Sequence, residues 1–280
     1  MSETTRTDTR DIPEPPRIET LRTSRGEISF SPERGGIITS MKLRGPAGLR
    51  EILYLDQATL DDPEKNVKGG VPILFPNAGP INSPDFPGMK QHGFARNMRS
   101  WESGVSEDEF WETLTADAST REKYPYDFSL RMGGRIEKNG STIISQSATN
   151  HEPDRDLPVS MGLHPYFRVP ADQKQAMRFD FPGGDIIERG VEKWANDGTI
   201  SVDNPALIDP RSPLRITIPE LGTLVMDVSP EYRKIWVWSM MNKDFVCIEP
   251  VMRDEGGLVN DPELVPPGAT YTGTVKFRLE

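Results

Sequence analysis

The sequence predicts an all-β protein, a large antiparallel β-sandwich of roughly fifteen or more short strands. Two observations carry this. The 280 residues include 24 Gly and 26 Pro, which punctuate the chain too often for long helices. In segment after segment, apolar and polar residues alternate with a period of two, the signature of strands with one buried face.

In chain order, residues 27–30, 37–43, 110–114, 142–147 and 224–228 show this alternation. Residues 234–239 (KIWVWS), with apolar 235–238 at their centre, and the apolar run 245–248 (FVCI) read as buried central strands. Trp236 and Trp238 are accordingly expected in the core. In 270–279, Tyr271, Val275, Phe277 and Leu279 fall on one face with Gly273 between them, and Lys276 and Arg278 point the other way. Helical signal is confined to short turns near 57–65 and 230–233. No repeat of about 20–50 residues suggests a propeller or solenoid. Residues 1–16, polar and ending in Pro13, Pro15 and Pro16, read as a disordered tail. Residues 17–280 read as a single domain, with a boundary near 172–175 as the less favoured division.

Charge narrows the function classes. There are 33 Lys+Arg against 43 Asp+Glu, a net charge of -10. Nucleic-acid binding needs a basic footprint to displace counterions, so no nucleic-acid partner is expected. A small anionic substrate stays open, since a few local cations suffice to bind a phosphate. Cys247 is the sole cysteine; no intrachain disulfide can form, which favours a reducing, cytoplasmic setting. No apolar run approaches a membrane span and the N-terminal residues hold no apolar signal segment, so no membrane partner is expected.

Three histidines are available: His92, His151 and His164. His92 lies in Gln91-His92-Gly93-Phe94-Ala95-Arg96, and His164 in Gly162-Leu163-His164-Pro165-Tyr166-Phe167. In Cys247-Ile248-Glu249-Pro250 a carboxylate closes an apolar strand, which is costly unless it is paired or functional. Taken singly, each has a structural alternative. Either histidine fits a turn or a carbonyl-bonded core position, and Glu249 fits a strand leaving for solvent. A metal centre is disfavoured: no His-x-His occurs and the candidate ligands are far apart in sequence. No motif points to a glycosidase carboxylate pair. The pairs Gly35-Gly36, Gly69-Gly70, Gly183-Gly184 and Gly256-Gly257 read as turns and close strand approaches, because none continues into a nucleotide-binding loop.

Taken together and in order, these segments resemble the aldose 1-epimerase (galactose mutarotase-like) superfamily over residues 18–280. The resemblance rests on Lys68-Gly69-Gly70-Val71-Pro72-Ile73-Leu74-Phe75-Pro76, then Gly79-Pro80, HGFAR at residues 92–96 with Trp101 beyond, Asn150, Leu157-Pro158, GLHPYF at 162–167, Trp236-Val237-Trp238, CIEP at 247–250, and Pro267-Gly268. GLHPYF followed at this spacing by CIEP is the most specific part. The branch most similar is the hexose-6-phosphate mutarotases. Lys68 stands where that branch often has Arg, which keeps a cation but loses the bidentate fork. Asn77-Ala78 replace an aromatic pair.

The resemblance implies a galactose mutarotase-like supersandwich with an open sugar groove. It implies His164 and Glu249 as the catalytic acid–base pair, with His92, Arg96, Lys68 and, on a weaker match, Asp203 binding substrate. It implies a small-molecule sugar or sugar phosphate as partner and no cofactor; no metal is expected, and the expected state is a monomer or weak dimer. The alternative is a non-catalytic carbohydrate-binding or sugar-sensing protein using the same groove.

Overall fold

The computed structural model describes residues 14–280. The expected tail of residues 1–16 therefore lies mostly outside the described residues; Glu14–Pro16 carry no regular structure, and the first strand is Glu19–Arg22. The described residues form twenty strands in all, in antiparallel sheets, and the described helices are short, none longer than the six residues of Gly184–Arg189. No helix of the described residues is long and apolar enough to cross a membrane.

Two large sheets form the sandwich. The eight-stranded sheet runs Arg178–Asp180, Leu214–Ile218, Gly222–Val228, Thr270–Leu279, Thr142–Asn150, Phe128–Ile136, Glu109–Thr115, Glu102–Val105. Its longest partners, Thr142–Asn150 and Thr270–Leu279, alternate buried and accessible residues along their length, as the sequence pattern requires. The six-stranded sheet runs Ile200–Asp203, Lys234–Trp238, Phe245–Val251, Gly162–Leu163, Ile73–Leu74, with Tyr166–Arg168 also paired to Phe245–Val251. The two apolar runs, Lys234–Trp238 and Phe245–Val251, are neighbours inside this sheet, as their composition predicts.

One face of the six-stranded sheet enters the main core. Ile235, Val237, Val246, Ile248 and Phe167 join a continuous apolar cluster that includes Ile144 and Phe277 of the eight-stranded sheet. The Phe167 and Phe277 rings lie 6.3 Å apart between centroids. Fully burying a side chain of this kind contributes about 1.5–3 kcal/mol. A polar tie crosses the same interface: Tyr232 donates to Gln146 Oε1 at 3.2 Å, and Gln146 donates to the carbonyl of Leu74 at 3.1 Å. Gly273 leaves room for this tie, because a Cβ there would lie 2.5 Å from the Tyr232 ring.

The opposite face of the six-stranded sheet has a separate composition. With a side-chain period of two, Trp236 and Trp238 share it with Cys247, Glu249 and Val251 through the register Trp236↔Glu249 and Trp238↔Cys247. Trp236 is buried as expected, though in a small apolar cluster apart from the main one, whereas Trp238 is only half-buried. Both Trp236 and Trp238 lie outside the main cluster, on the face that carries Glu249.

Candidate active site

Glu249 lies within the strand Phe245–Val251 and does not mark its exit into solvent; only 2% of its surface is accessible. Along its face it sits between two small apolar clusters. Leu74, Ala78, Trp236 and Val251 form one, and Tyr166, Phe245 and Cys247 the other, with Tyr54, Trp238 and Met240 packed against it. His164 is presented to the same face by the short link between Gly162–Leu163 and Tyr166–Arg168. Its backbone N–H donates to the carbonyl of Pro72 at 3.0 Å, and that of Tyr166 to Gly70 at 2.9 Å. This anchoring puts His164 Nε2 3.3 Å from Glu249 Oε1.

Aromatic rings fix the imidazole plane. Tyr166 stacks on His164 at 4.8 Å and 17°, and Trp238 meets it edge-on at 6.0 Å and 75°. Trp238 is itself held by a 2.8 Å hydrogen bond from its indole N–H to Asp197. Asp197 is one of the few non-glycine residues with positive φ, at 60°. His164 Nδ1 is buried and has no hydrogen-bond partner among the described residues.

The electrostatics follow from burial. Desolvation pushes the Glu249 carboxyl well above the usual carboxylate range, with the Arg96 guanidinium pulling the other way. Desolvation also holds the His164 imidazole well below its ordinary value, reinforced by His92 and Arg96. Both charged forms are disfavoured, so the pair holds one proton between them, and its titration belongs to the pair.

His92 and Arg96 close the site from the segment 91–97. Gly93, at φ +70°, is required there because a Cβ would fall 1.9 Å from the carbonyl oxygen of Phe75. That carbonyl accepts from Phe94 N at 3.0 Å. His92 itself has φ 66°, and its ring meets that of His164 edge-on at 5.3 Å. His92 Nδ1 hydrogen-bonds the carbonyl of Ala78. A carbonyl only accepts, so Nδ1 carries the proton and Nε2 keeps its lone pair. Burial and the Arg96 cation lower the His92 pKa to about 4, so the ring is neutral and acceptor-ready at physiological pH. Asn77, in the pair that replaces two aromatics, is buried and donates to the carbonyls of Gly79 and Lys90, which shapes the loop supporting His92.

Arg96 is half-buried, with one hydrogen bond to the Gln91 carbonyl at 3.3 Å and an Nε that has no partner among the described residues. Several of its five donors are thus uncommitted. Its charge is felt at Tyr166 and Glu249, which places it at the pair.

The structure brings four of the six expected residues together and leaves two apart. His164, Glu249, His92 and Arg96 converge. Lys68 is exposed; its backbone bonds Thr59 Oγ1 and Asp56 N at 2.9 Å, and its ammonium has no ion pair among the described residues. Asp203 points to the same sheet face but lies two strands over, in a 2.8 Å ion pair with Lys234. It lines a separate cavity of about 430 Å³ together with Asp254 and Arg253. Asp254 also accepts from the Trp236 indole at 2.9 Å. Trp238 and Tyr166, which wall the His164 imidazole, are not among the residues the sequence points to. The signal that could have found them is the period of two, which puts 236 and 238 on one face with charged Lys234, and 247 with 249.

Residues 19–180 match the sequence model of the aldose 1-epimerase family, which is more than half of the chain. The chain belongs to the aldose 1-epimerase family. The matched span contains Lys68, His92, Arg96 and His164; Asp203 and Glu249 lie beyond it. Among curated relatives, LacX of Lactococcus lactis subsp. lactis is 33% identical over 148 residues, 49% of this chain and 46% of LacX. A protein of Escherichia coli (strain K12), provisionally named glucose-6-phosphate 1-epimerase, is 31% identical over 131 residues, 44% of this chain and 40% of that protein. The chain thus spans about half the length of the curated relatives it matches. Among solved structures, the Slr1438 protein of Synechocystis sp. PCC 6803 is 26% identical with a TM-score of 0.75, covering 98% of this chain and 99% of that one. A galactose mutarotase related enzyme of Lactobacillus acidophilus, 18% identical with a TM-score of 0.71 over 94% and 97% of the two chains, shares the fold. The galactose mutarotase-like sandwich of this aldose 1-epimerase family member is the architecture expected from its sequence.

Proposed function

We propose that this chain is a mutarotase that interconverts the α and β anomers of a hexose or hexose 6-phosphate by acid–base ring opening. The observation that carries the reading is the 3.3 Å contact between His164 Nε2 and Glu249 Oε1 in an apolar, aromatic-walled recess. In the productive form Glu249 is the carboxylate and His164 the imidazolium. Glu249 takes the proton from the anomeric hydroxyl O1 while His164 gives its proton to the ring oxygen. The C1–O5 bond breaks and C1=O1 forms. After rotation about C1–C2, the ring closes on the other face of C1, O1 regains its proton from Glu249, and His164 recovers the proton from O5. Burial makes Glu249 a stronger base and imidazolium a stronger acid than in water, and each such group typically contributes about 10²–10⁴-fold. Acid and base alone supply the transfer, without a metal or nucleotide. His92 Nε2 accepts from a sugar hydroxyl, and the uncommitted donors of Arg96 bind hydroxyls or a phosphate.

The chemistry of the pair also argues against a purely sugar-sensing role, since recognition alone has no use for a shared proton. Exchange spectroscopy between the α and β anomers of glucose 6-phosphate, glucose and galactose tests the reading. Acceleration of the phosphate sugar alone assigns a hexose-6-phosphate mutarotase; acceleration of free sugars keeps the chemistry and moves the substrate. Sugar binding with no acceleration of any of the three overturns the enzyme reading in favour of a sensor.

A further inference from the structure

Cys247 takes no part in ring opening, yet it lies beside the pair that does. It is on the same face of Phe245–Val251 as Glu249, and its register partner is Tyr166, two residues after His164. One donor atom each from His164, Cys247 and Glu249 fall within 4.8 Å of one another, and all three residues are buried. The His164 imidazole also carries an Nδ1 with no partner among the described residues.

Imidazole, thiolate and carboxylate are the ligand set of zinc-class cations, whereas magnesium and calcium prefer all-oxygen shells. The widest of the three separations needs to shrink by about 1 Å to meet tetrahedral zinc bond lengths, within the reach of side-chain rotation. Charge fits as well. A thiolate and a carboxylate cancel a dication, so the occupied site is neutral and suits an apolar recess that penalises any isolated charge. Three protein ligands leave a fourth position for water.

We propose that His164, Cys247 and Glu249 form an inhibitory site for a zinc-class divalent cation, which competes with the sugar for the same two catalytic groups. On binding, the Cys247 thiol proton leaves to solvent and the sulfur coordinates the metal; no redox change is involved. The inhibitory consequence rests on the mutarotase reading, but the binding site does not.

The test titrates the intact protein with Co²⁺ and then Zn²⁺, and follows anomer exchange in parallel. Cys247 is the sole cysteine of the chain, so a thiolate-to-cobalt charge-transfer band reports this residue without any variant. The expected result is a band saturating at one cobalt per chain, abolished by Zn²⁺ and absent in Cys247→Ala and Cys247→Ser. Zn²⁺ slows exchange by the wild type and a chelator restores it. Cys247→Ala exchanges anomers at the wild-type rate with at least tenfold weaker zinc inhibition. No band in the wild type, or equal zinc inhibition in Cys247→Ala, overturns the proposal. A band in a protein that accelerates no sugar upholds the metal site and removes the mutarotase reading instead.

Discussion

His164, in a link between two short strands, and Glu249, within a strand, are about 85 residues apart in sequence, yet Nε2 and Oε1 meet at 3.3 Å where neither residue is more than 6% accessible. Two ionisable groups so placed hold one proton more readily than two or none. The raised carboxyl and lowered imidazole make each the stronger form of what ring opening asks of it.

The pH profile of anomer exchange should show this directly. The acid limb marks the second proton entering the pair and belongs below the ordinary imidazole value of about 6.5, because burial lowers His164. The alkaline limb marks loss of the shared proton and lies well above the ordinary carboxylate range, because burial raises Glu249. An acid limb at or above the ordinary imidazole value contradicts this electrostatic account.

Arg96 depresses both members of the pair. Removing its charge in Arg96→Met should shift both limbs of the profile, measured with a free sugar, to higher pH. If the substrate carries a phosphate, the same variant raises KM for the phosphate sugar by about 10–100-fold, the worth of a charge-assisted contact, and leaves KM for the free sugar far less changed. Unmoved limbs with an unchanged KM would place Arg96 outside the site.

Gly93 tolerates no side chain. At φ +70° with Phe75 O 1.9 Å from a Cβ, Gly93→Ala must displace the segment that carries His92 and Arg96. The expected cost is more than about 2 kcal/mol, read as a lowered melting temperature together with lost activity. A variant that melts as the wild type does would show that this backbone approach is looser than the geometry indicates.

Far from the site, Glu112 is wholly buried on the core face of Glu109–Thr115, with neither carboxyl oxygen hydrogen-bonded among the described residues. Desolvation, then the charge of Glu19, pushes its pKa well up. Its folded-state value exceeds the unfolded one of about 4.3, so its stabilising share is full below that pH and is lost as pH rises toward the folded value. Relative to Glu112→Gln, the wild type should therefore lose about 1.4 kcal/mol per pH unit across that window, about 3–5 °C of melting temperature. Parallel stability curves for the two proteins would contradict the assignment.

The strands and their faces were largely legible in the sequence, because a half-buried strand writes its period of two directly into residue type. The alternation of 270–279 reappears as the strand Thr270–Leu279. The tryptophans were harder. Residues 235–238 are apolar on both faces, because one face joins the main core and the other two small clusters above it, so composition does not tell the two apart. The role of Asn77 was likewise hidden: it works through carbonyls of Gly79 and Lys90 that only the folded loop brings to it. Asp203 matched a motif position, yet Lys234 across the strand pair engages it in the folded chain. The approach of Cys247 to His164 depends on register between strands, which spacing along one strand does not encode.

The central claim is that His164 and Glu249 act as one unit. Anomer exchange should be measured for the wild type, His164→Asn, Glu249→Gln and the double variant, with sugar affinity determined for each by binding. Groups that share one step give strongly non-additive losses. The account predicts that each single variant loses about 10²–10⁴-fold in exchange, that the double variant loses little more than the worse single one, and that sugar still binds. Single variants that retain near wild-type exchange, or losses that multiply as independent effects, would contradict it.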